Sequence, residues 1–341
     1  MWYRHIIDRG VIPDAILRSF VRYGLRKYSR NVGKLTDAQL QAYRDDFLDR
    51  SISSSIAVDT DKANRQHYEL PTEFFSTVLG ESMKYSGSIW DNGIHTLDAA
   101  DNRTIKTYLE RADVADGQTI LDLGCGWGSL SLYLAEHYPG SLITAVTNSA
   151  TQKEFIEFEC RQKKISNLGV LKSDVNDLSF ASTFDRIFAI EMLEHTRNVG
   201  QLLNRVATWM SDSSRFFVQV FSHQKYPQYF DDVENSWMAR YFFTGGMMPY
   251  LDLYKDIDSR LCPVETWVES GEHYHKSLES WLRNLDANST RLRESLDAYQ
   301  LADTTSTLVN RFRFFLIICS ELFRYNRGND WVVVNHLFRK V

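Results

Sequence analysis

The stretch Ile120-Leu121-Asp122-Leu123-Gly124-Cys125-Gly126-Trp127-Gly128 decides the fold, because an apolar strand breaks into glycines where a helix should start. Gly117-Gln118 precedes the apolar run as a turn precedes a buried parallel strand, and Ser129 to Glu136 resumes at helical spacing. Gly124, Gly126 and Gly128 tolerate positive φ and let a ligand approach the backbone, while the following helix offers N–H groups with no intrahelical partner. Such a turn reads as a nucleotide-binding loop, of the kind that holds a pyrophosphate in dinucleotide-binding proteins. Glycine spacing alone does not choose the ligand. Asp122, inside the turn, repels a phosphate but attracts a cationic or hydroxylated ligand, which favours S-adenosylmethionine over NAD.

Outward from this turn, strands are expected at 119–123, 141–146, 169–171, 184–190 and 215–221, separated by helical stretches, with a last strand at 331–338. Alternation of this kind implies an α/β fold, a parallel sheet with helices on both faces. Residues 1 to about 70 read as helical, with Pro13 suited to the first turn of a helix over 15–28 and a Ser-rich break at 51–55. Residues 223–310, rich in aromatic and charged side chains, read as inserted helices over the ligand-bearing edge of the sheet. There is no internal repeat.

With 341 residues, 43% of them hydrophobic, the chain can bury one large core plus a cap. A net charge of -5 offers no basic footprint for nucleic acid. Cys125, Cys160, Cys262 and Cys319 form no CxxC pair, so neither a zinc site nor a disulfide framework is signalled, and a reducing, cytoplasmic setting is expected. The longest apolar run, Phe314 to Cys319, falls far short of the roughly 20 residues that a spanning helix needs, so no stable membrane insertion is expected. Residues 1–35 carry Arg4, Arg9, Arg18, Arg22, Arg26, Lys27, Arg30 and Lys34 against Asp8 and Asp14. Such a segment lies on anionic lipid, serves as a transit peptide or, most commonly, is a solvated cap helix. The oligomeric state is open, a homodimer included.

The candidate catalytic groups lie in Glu191-Met192-Leu193-Glu194-His195, directly after the apolar strand ending at Ile190. Catalytic groups of open α/β folds gather at the carboxyl ends of strands, where this cluster falls. A helical continuation puts Glu191, Glu194 and His195 on one face. No second histidine stands at zinc-binding spacing, so no metal is expected. The competing interpretation is a helix start with acids near its positive end. Trp237, Tyr241, Phe242, Phe243, Tyr250 and Trp267 form an aromatic group that either holds a cation on ring faces or is core.

Six stretches in this order carry a resemblance: His67 to Phe75, Lys84-Tyr85-Ser86, Asp122 to Ser129, Asn148 to Ile156, Glu191 to His195, and Arg240 to Gly246. From His67 onward the chain resembles the cyclopropane-fatty-acid-synthase-like superfamily of S-adenosylmethionine-dependent methyltransferases, especially its coclaurine N-methyltransferase branch. The resemblance implies a class I Rossmann-like fold with a seven-stranded, mostly parallel sheet. Taken with the patterning along the chain, the expected division is an N-terminal helical cap (1–70), a cofactor-binding core (71–222), a helical substrate-binding cap (223–310) and a closing helix and strand (311–341). The resemblance places Tyr85 and Ser86 beside the methionine moiety, Gly124 and Gly126 against it by backbone near Asp122, and Asn148 with Gln152 on the ribose and adenine side. By the same resemblance Asp174 is expected to accept a hydrogen bond from the adenine amino group, with Val175 beside it. Trp237, Tyr241 and Phe242 are the expected substrate contacts.

The chemistry implied is methyl transfer to the nitrogen of a small aromatic or tetrahydroisoquinoline-type amine, an in-line displacement that requires alignment at near-attack distance. A secondary amine is mostly protonated at neutral pH, so His195, ordinarily with a pKa near 6.5, is expected as base and Glu191 with Glu194 as amine anchors. A rival within the superfamily transfers methyl or methylene to an unsaturated acyl chain with bicarbonate as base. Alignment puts Val220 where those enzymes hold the anion with a histidine, and valine offers it no hydrogen bond. Tyr274 and Cys319 do match positions that the lipid enzymes use. A third alternative is a non-catalytic cofactor-binding protein that docks on membranes through the basic N-terminus.

Overall fold

The computed structural model describes residues 4–58, 70–232, 236–297, 299 and 303–341. The motif beginning His67-Tyr68-Glu69 lies outside these residues at its first three positions. Seven strands form the main sheet: β1 (Thr119–Leu123), β2 (Leu142–Thr147), β3 (Leu168–Lys172), β4 (Phe184–Ile190), β5 (Met210–His223), β6 (Leu261–Glu269) and β7 (Trp331–Lys340). Their order is β3-β2-β1-β4-β5-β7-β6. All run in one direction except β7, which is antiparallel to both its neighbours. Ile120, Leu121 and Leu123 of β1 are at most 1% exposed, as a strand covered on both faces requires.

From β1 the chain runs outward through β2 and β3 and then crosses to β4 on the other side of β1, so the strand order reverses beside β1 and a crevice opens at its carboxyl end. There the glycine turn is stitched to β2, with the N–H groups of Gly124 and Cys125 both donating to the carbonyl of Val146 (3.0 and 2.9 Å). Gly128, at φ +82°, starts the helix Ser129–His137 from the left-handed region, where a side chain would also strike Ile156.

The segment 223–310, expected to be helical throughout, instead returns β6 to the sheet. Its signal was masked because β6 is an edge strand whose side chains are largely half exposed or exposed, and Pro263 sits at a register shift beside β7. The rest of that segment supplies short helices and the long helix Gly271–Ala287, which packs on Thr305–Arg324.

The N-terminal helix Asp14–Val32, with Pro13 immediately before it, is longer than expected. Leu17, Val21, Leu25 and Tyr28 pack on the large aromatic core. On the same side Arg18 pairs with Glu279 (2.7 Å) and Glu321 (3.0 Å), and Arg22 with Glu321 (2.5 Å). Part of the basic charge noted in the sequence therefore holds this helix to the protein. No helix among the described residues is long and apolar enough to cross a membrane.

Candidate active site

Two cavities meet at the carboxyl end of the sheet. The first, about 810 Å³, runs from Asp174 and Val175 past Asn148 and Gln152 to Gly124, Gly126, Glu191 and His195. A polar extension of about 580 Å³ continues it past Asp122, Tyr85, Ser86 and Lys84. The second, about 840 Å³ and mostly apolar, is lined by Phe221, Phe230, Met238, Phe243, Tyr274, Trp281, Phe315 and Cys319 among others. Glu191 and His195 line both the first and the second.

The groove fits an adenosyl sulfonium donor. The space where a Cβ on Gly126 would stand is open, so a ligand can lie against this backbone, which has φ +54°. Gln152, on the groove wall, accepts from Thr147 Oγ1 (2.5 Å), and its buried amide nitrogen has no partner among the described residues. Asp122 accepts a hydrogen bond from Ser131 Oγ (2.5 Å), and burial pushes its carboxyl up to about 6. Asp174 spends one oxygen on the N–H of Asn176 (2.7 Å), a local turn that leaves the residue on the groove wall. All nine residues expected at the cofactor line these connected cavities.

The cluster after β4 departs from the expected helix. Glu191 stands at φ +49°, and the chain then makes a single 3-10 turn, Leu193–His195. The three side chains therefore do not share a face. Glu191 and His195 face the cavities, whereas Glu194 is fully buried behind them, accepting a hydrogen bond from the N–H of Phe221 at 2.7 Å. Burial and then the nearby Glu191 push Glu194 well above the ordinary carboxylate range. That corrects its expected part as an amine anchor, since it touches neither cavity.

Glu191 is the hub. Its Oε1 accepts from the N–H of Gly87 (2.9 Å) and from Gln219 Nε2 (3.0 Å), and its Oε2 accepts from the Tyr274 hydroxyl (2.6 Å). Burial raises its pKa, while the Lys84 cation and these three donors oppose the rise. Tyr108 fixes Gln219 by donating to its oxygen (2.8 Å). On β5 the side chain facing this site is thus Gln219, while Val220 is buried in the core on the other face of the sheet. His195 lies flat against Phe243, centroids 5.1 Å apart and rings 7° from parallel. Burial pushes its imidazole down to about 4, well below the value near 6.5 expected from sequence.

Of the aromatic group, Phe243 lines the apolar cavity, but Trp237, Tyr241 and Phe242 do not. Phe242 stacks on Phe315 (4.3 Å), Trp237 packs edge-on against Phe314, and Tyr241 lies under Arg311 (4.3 Å). One step of register decides this: Met238, next to Trp237 on the short helix Trp237–Tyr241, is the residue that faces the cavity. Trp267 belongs to β6, beneath Arg111. Tyr274 and Cys319 both reach the cavity, and burial raises the Cys319 thiol far above its ordinary value.

Lys84, Gly87 and Tyr108 carry no site signal along the sequence, and Gln219 stands out there only, with Val220, as a departure from the family pattern near the expected substrate. Lys84 stood in a quoted motif, but nothing along the chain pairs it with Glu191, 107 positions away.

Residues 57–332 match the model of the mycolic acid cyclopropane synthetase family. The chain belongs to that family. It is 32% identical over 339 residues to (S)-coclaurine N-methyltransferase of Thalictrum flavum subsp. glaucum, covering 98% of this chain and 94% of that one. The crystal structure of coclaurine N-methyltransferase bound to N-methylheliamine and SAH superposes with a TM-score of 0.94 at 29% identity, covering 99% and 98% of the two chains. A more distant relative, cyclopropane-fatty-acyl-phospholipid synthase of Escherichia coli (strain K12), is 27% identical over 274 residues, 79% of this chain and 66% of that one. With these relatives and this groove, the protein is an S-adenosylmethionine-dependent methyltransferase.

Proposed function

We propose that the acceptor is an apolar amine, methylated on nitrogen at the junction of the two cavities. One observation carries this reading: Glu191, the carboxylate shared by both cavities, faces a mostly apolar chamber of about 840 Å³. A carboxylate in such a place attracts an ammonium, and aromatic walls favour the ring system that carries it. Relatives named for coclaurine, tetrahydroprotoberberine and pavine N-methylation support a tetrahydroisoquinoline-type acceptor.

Tyr85, Ser86, Asp122, Gly124, Gly126, Asn148, Gln152, Asp174 and Val175, which line the groove, would hold S-adenosylmethionine, and it would supply an electrophilic methyl group there. The protein's own task is to present a neutral nitrogen. Glu191 receives the ammonium, its geometry fixed by Gly87, Gln219 and Tyr274. Transfer into the apolar chamber disfavours the charged amine, just as it does buried lysines and histidines. His195, kept neutral by burial and braced on Phe243, accepts the proton. Glu194 orients this turn through Phe221 and touches neither substrate.

The test is transfer of radiolabelled methyl to a panel of tetrahydroisoquinolines, simple amines and unsaturated phospholipids. Label in a cyclic amine is expected. Label in lipid alone overturns the reading.

A further inference from the structure

We propose that Lys84 is a positioning residue that locks the 84–87 turn, so that one buried ammonium orders the donor site and the acceptor carboxylate together. The inference rests on the reading of Glu191 as the amine-binding group.

The ammonium of Lys84 is 1% exposed and has three protons to donate. Three acceptors surround it: the Ser86 carbonyl at 3.1 Å, Ser86 Oγ at 2.8 Å and the Gly87 carbonyl at 2.7 Å. It also lies over the Tyr108 ring, 5.7 Å from the centroid. Every proton is thereby spent on the turn, and none remains for a ligand. A residue saturated in this way acts through what it holds.

What it holds reaches both cavities. Tyr85 lines the polar donor extension and the apolar chamber, and Ser86 lines the former. Gly87 presents its N–H to Glu191 Oε1, and its own Cα lies so close to the Tyr274 ring that a Cβ would stand 2.8 Å from it. Because Ser86 Oγ accepts from Lys84, its hydroxyl proton is directed elsewhere, and the Gly87 carbonyl fixed by Lys84 sets the peptide whose N–H aims at Glu191. The single positive charge also offsets two buried carboxylates, Glu191 and Asp101.

The groups facing Glu191 come from every surrounding element. They are Lys84 and Tyr108, with Asp101 a second carboxylate partner of Lys84, Gln219 on β5, Tyr274 on the helix Gly271–Ala287, Cys319 on Thr305–Arg324, and its chain neighbours Glu194 and His195. Among them Lys84 is the cation. Its removal raises the Glu191 pKa further. Amine capture, which needs the carboxylate, then fails at a higher pH than before.

Two variants separate charge from geometry. Lys84→Met removes three donors and the charge, while Lys84→Gln removes the charge but keeps a two-proton donor. Binding of S-adenosylhomocysteine is measured by calorimetry and the pH profile of kcat/KM by methyl transfer. The Met variant should lose at least tenfold in S-adenosylhomocysteine affinity and the Gln variant less, while the acid limb moves to higher pH by a similar amount in both. Affinity within twofold of the parent in the Gln variant, or an unmoved acid limb, overturns the proposal. The Gln variant gives both readouts even where the Met variant does not fold. Failure of the parent protein to methylate any amine instead sinks the acceptor reading, and leaves the calorimetric comparison to judge Lys84 alone.

Discussion

Glu191 adopts a left-handed backbone, φ +49°, that costs a non-glycine residue about 1–3 kcal/mol, and three donors converge on its carboxylate. Removing one donor tests whether those bonds maintain the charged form. Tyr274→Phe takes away the 2.6 Å hydroxyl, and since a hydrogen bond to a carboxylate lowers its pKa, the Glu191 pKa should rise. The acid limb of kcat/KM is then expected to move to higher pH, with S-adenosylhomocysteine affinity unchanged. An unmoved limb means that Tyr274 is packing only. At His195, substitution by alanine should leave S-adenosylhomocysteine affinity within twofold and lower kcat by about 10²–10⁴, the usual contribution of a positioned base. Undiminished transfer assigns the proton to another acceptor. The depressed imidazole value keeps His195 neutral at physiological pH but weakens it as a base, so proton transfer to it depends on the apolar chamber lowering the pKa of the bound amine as well.

Elements, rather than single residues, explain why the sequence was readable in some places and opaque in others. β1 and β4 were legible to the residue, since short, mainly apolar runs such as Ile187 to Ile190, flanked by turn signals, have one good interpretation. The glycine turn was legible because positive φ and close approach leave few other reasons for three alternate glycines. β6 was not, being a half-exposed edge strand broken by Pro263. The face shared by Glu191, Glu194 and His195 was misjudged because helical spacing was assumed where a left-handed residue and a 3-10 turn redirect the chain. The aromatic contacts depended on register within a five-residue helix, which composition does not encode. The hub around Glu191 joins residues from four distant segments, and local patterning holds no trace of it. One junction between elements is open to direct test. Gly271 begins its helix so close to the carbonyls of Trp331 and Phe323 that a Cβ would lie 2.2 and 2.4 Å from them. Both contacts are backbone and cannot swing aside. Gly271→Ala should therefore push the helix start outward, lowering Tm and raising the KM for the amine through displacement of Tyr274. A variant with unaltered Tm and KM shows that this helix start is free to shift.

At the scale of the whole molecule, the acceptor chamber is only as well formed as the layers behind it. The helix Thr305–Arg324 gives Phe315, Ile318, Cys319 and Leu322 to the chamber and Glu321 to the N-terminal helix on its other side. Arg18 bridges Glu321 and Glu279, and so ties together the two helices that carry much of the chamber wall. Burial acts to raise the pKa of both carboxylates, but the bonds from Arg22 and Arg18 outweigh it and both end lowered. For an acid whose folded pKa is depressed, the stabilisation is present above the unfolded value, about 4.3, and is lost as pH falls through the folded one. The side chain of Glu321 is 2% exposed and keeps Arg22 when Arg18, itself 17% exposed, is withdrawn, but Glu279 then loses its arginine and Glu321 one of its two, at a cost of about 2 kcal/mol. Arg22, 43% exposed, should matter by about 1 kcal/mol or less. Arg18→Ala is thus expected to lower Tm by several degrees at pH 7 and by progressively less as the buffer is taken below pH 4, with Arg22→Ala close to the parent throughout. Because the same helix forms the chamber wall, the Arg18 variant should also raise the amine KM while S-adenosylhomocysteine affinity holds. A Tm difference that persists undiminished in acid shows that the N-terminal helix is held by its apolar face, through Leu17, Val21, Leu25 and Tyr28, and that the arginines contribute packing rather than charge.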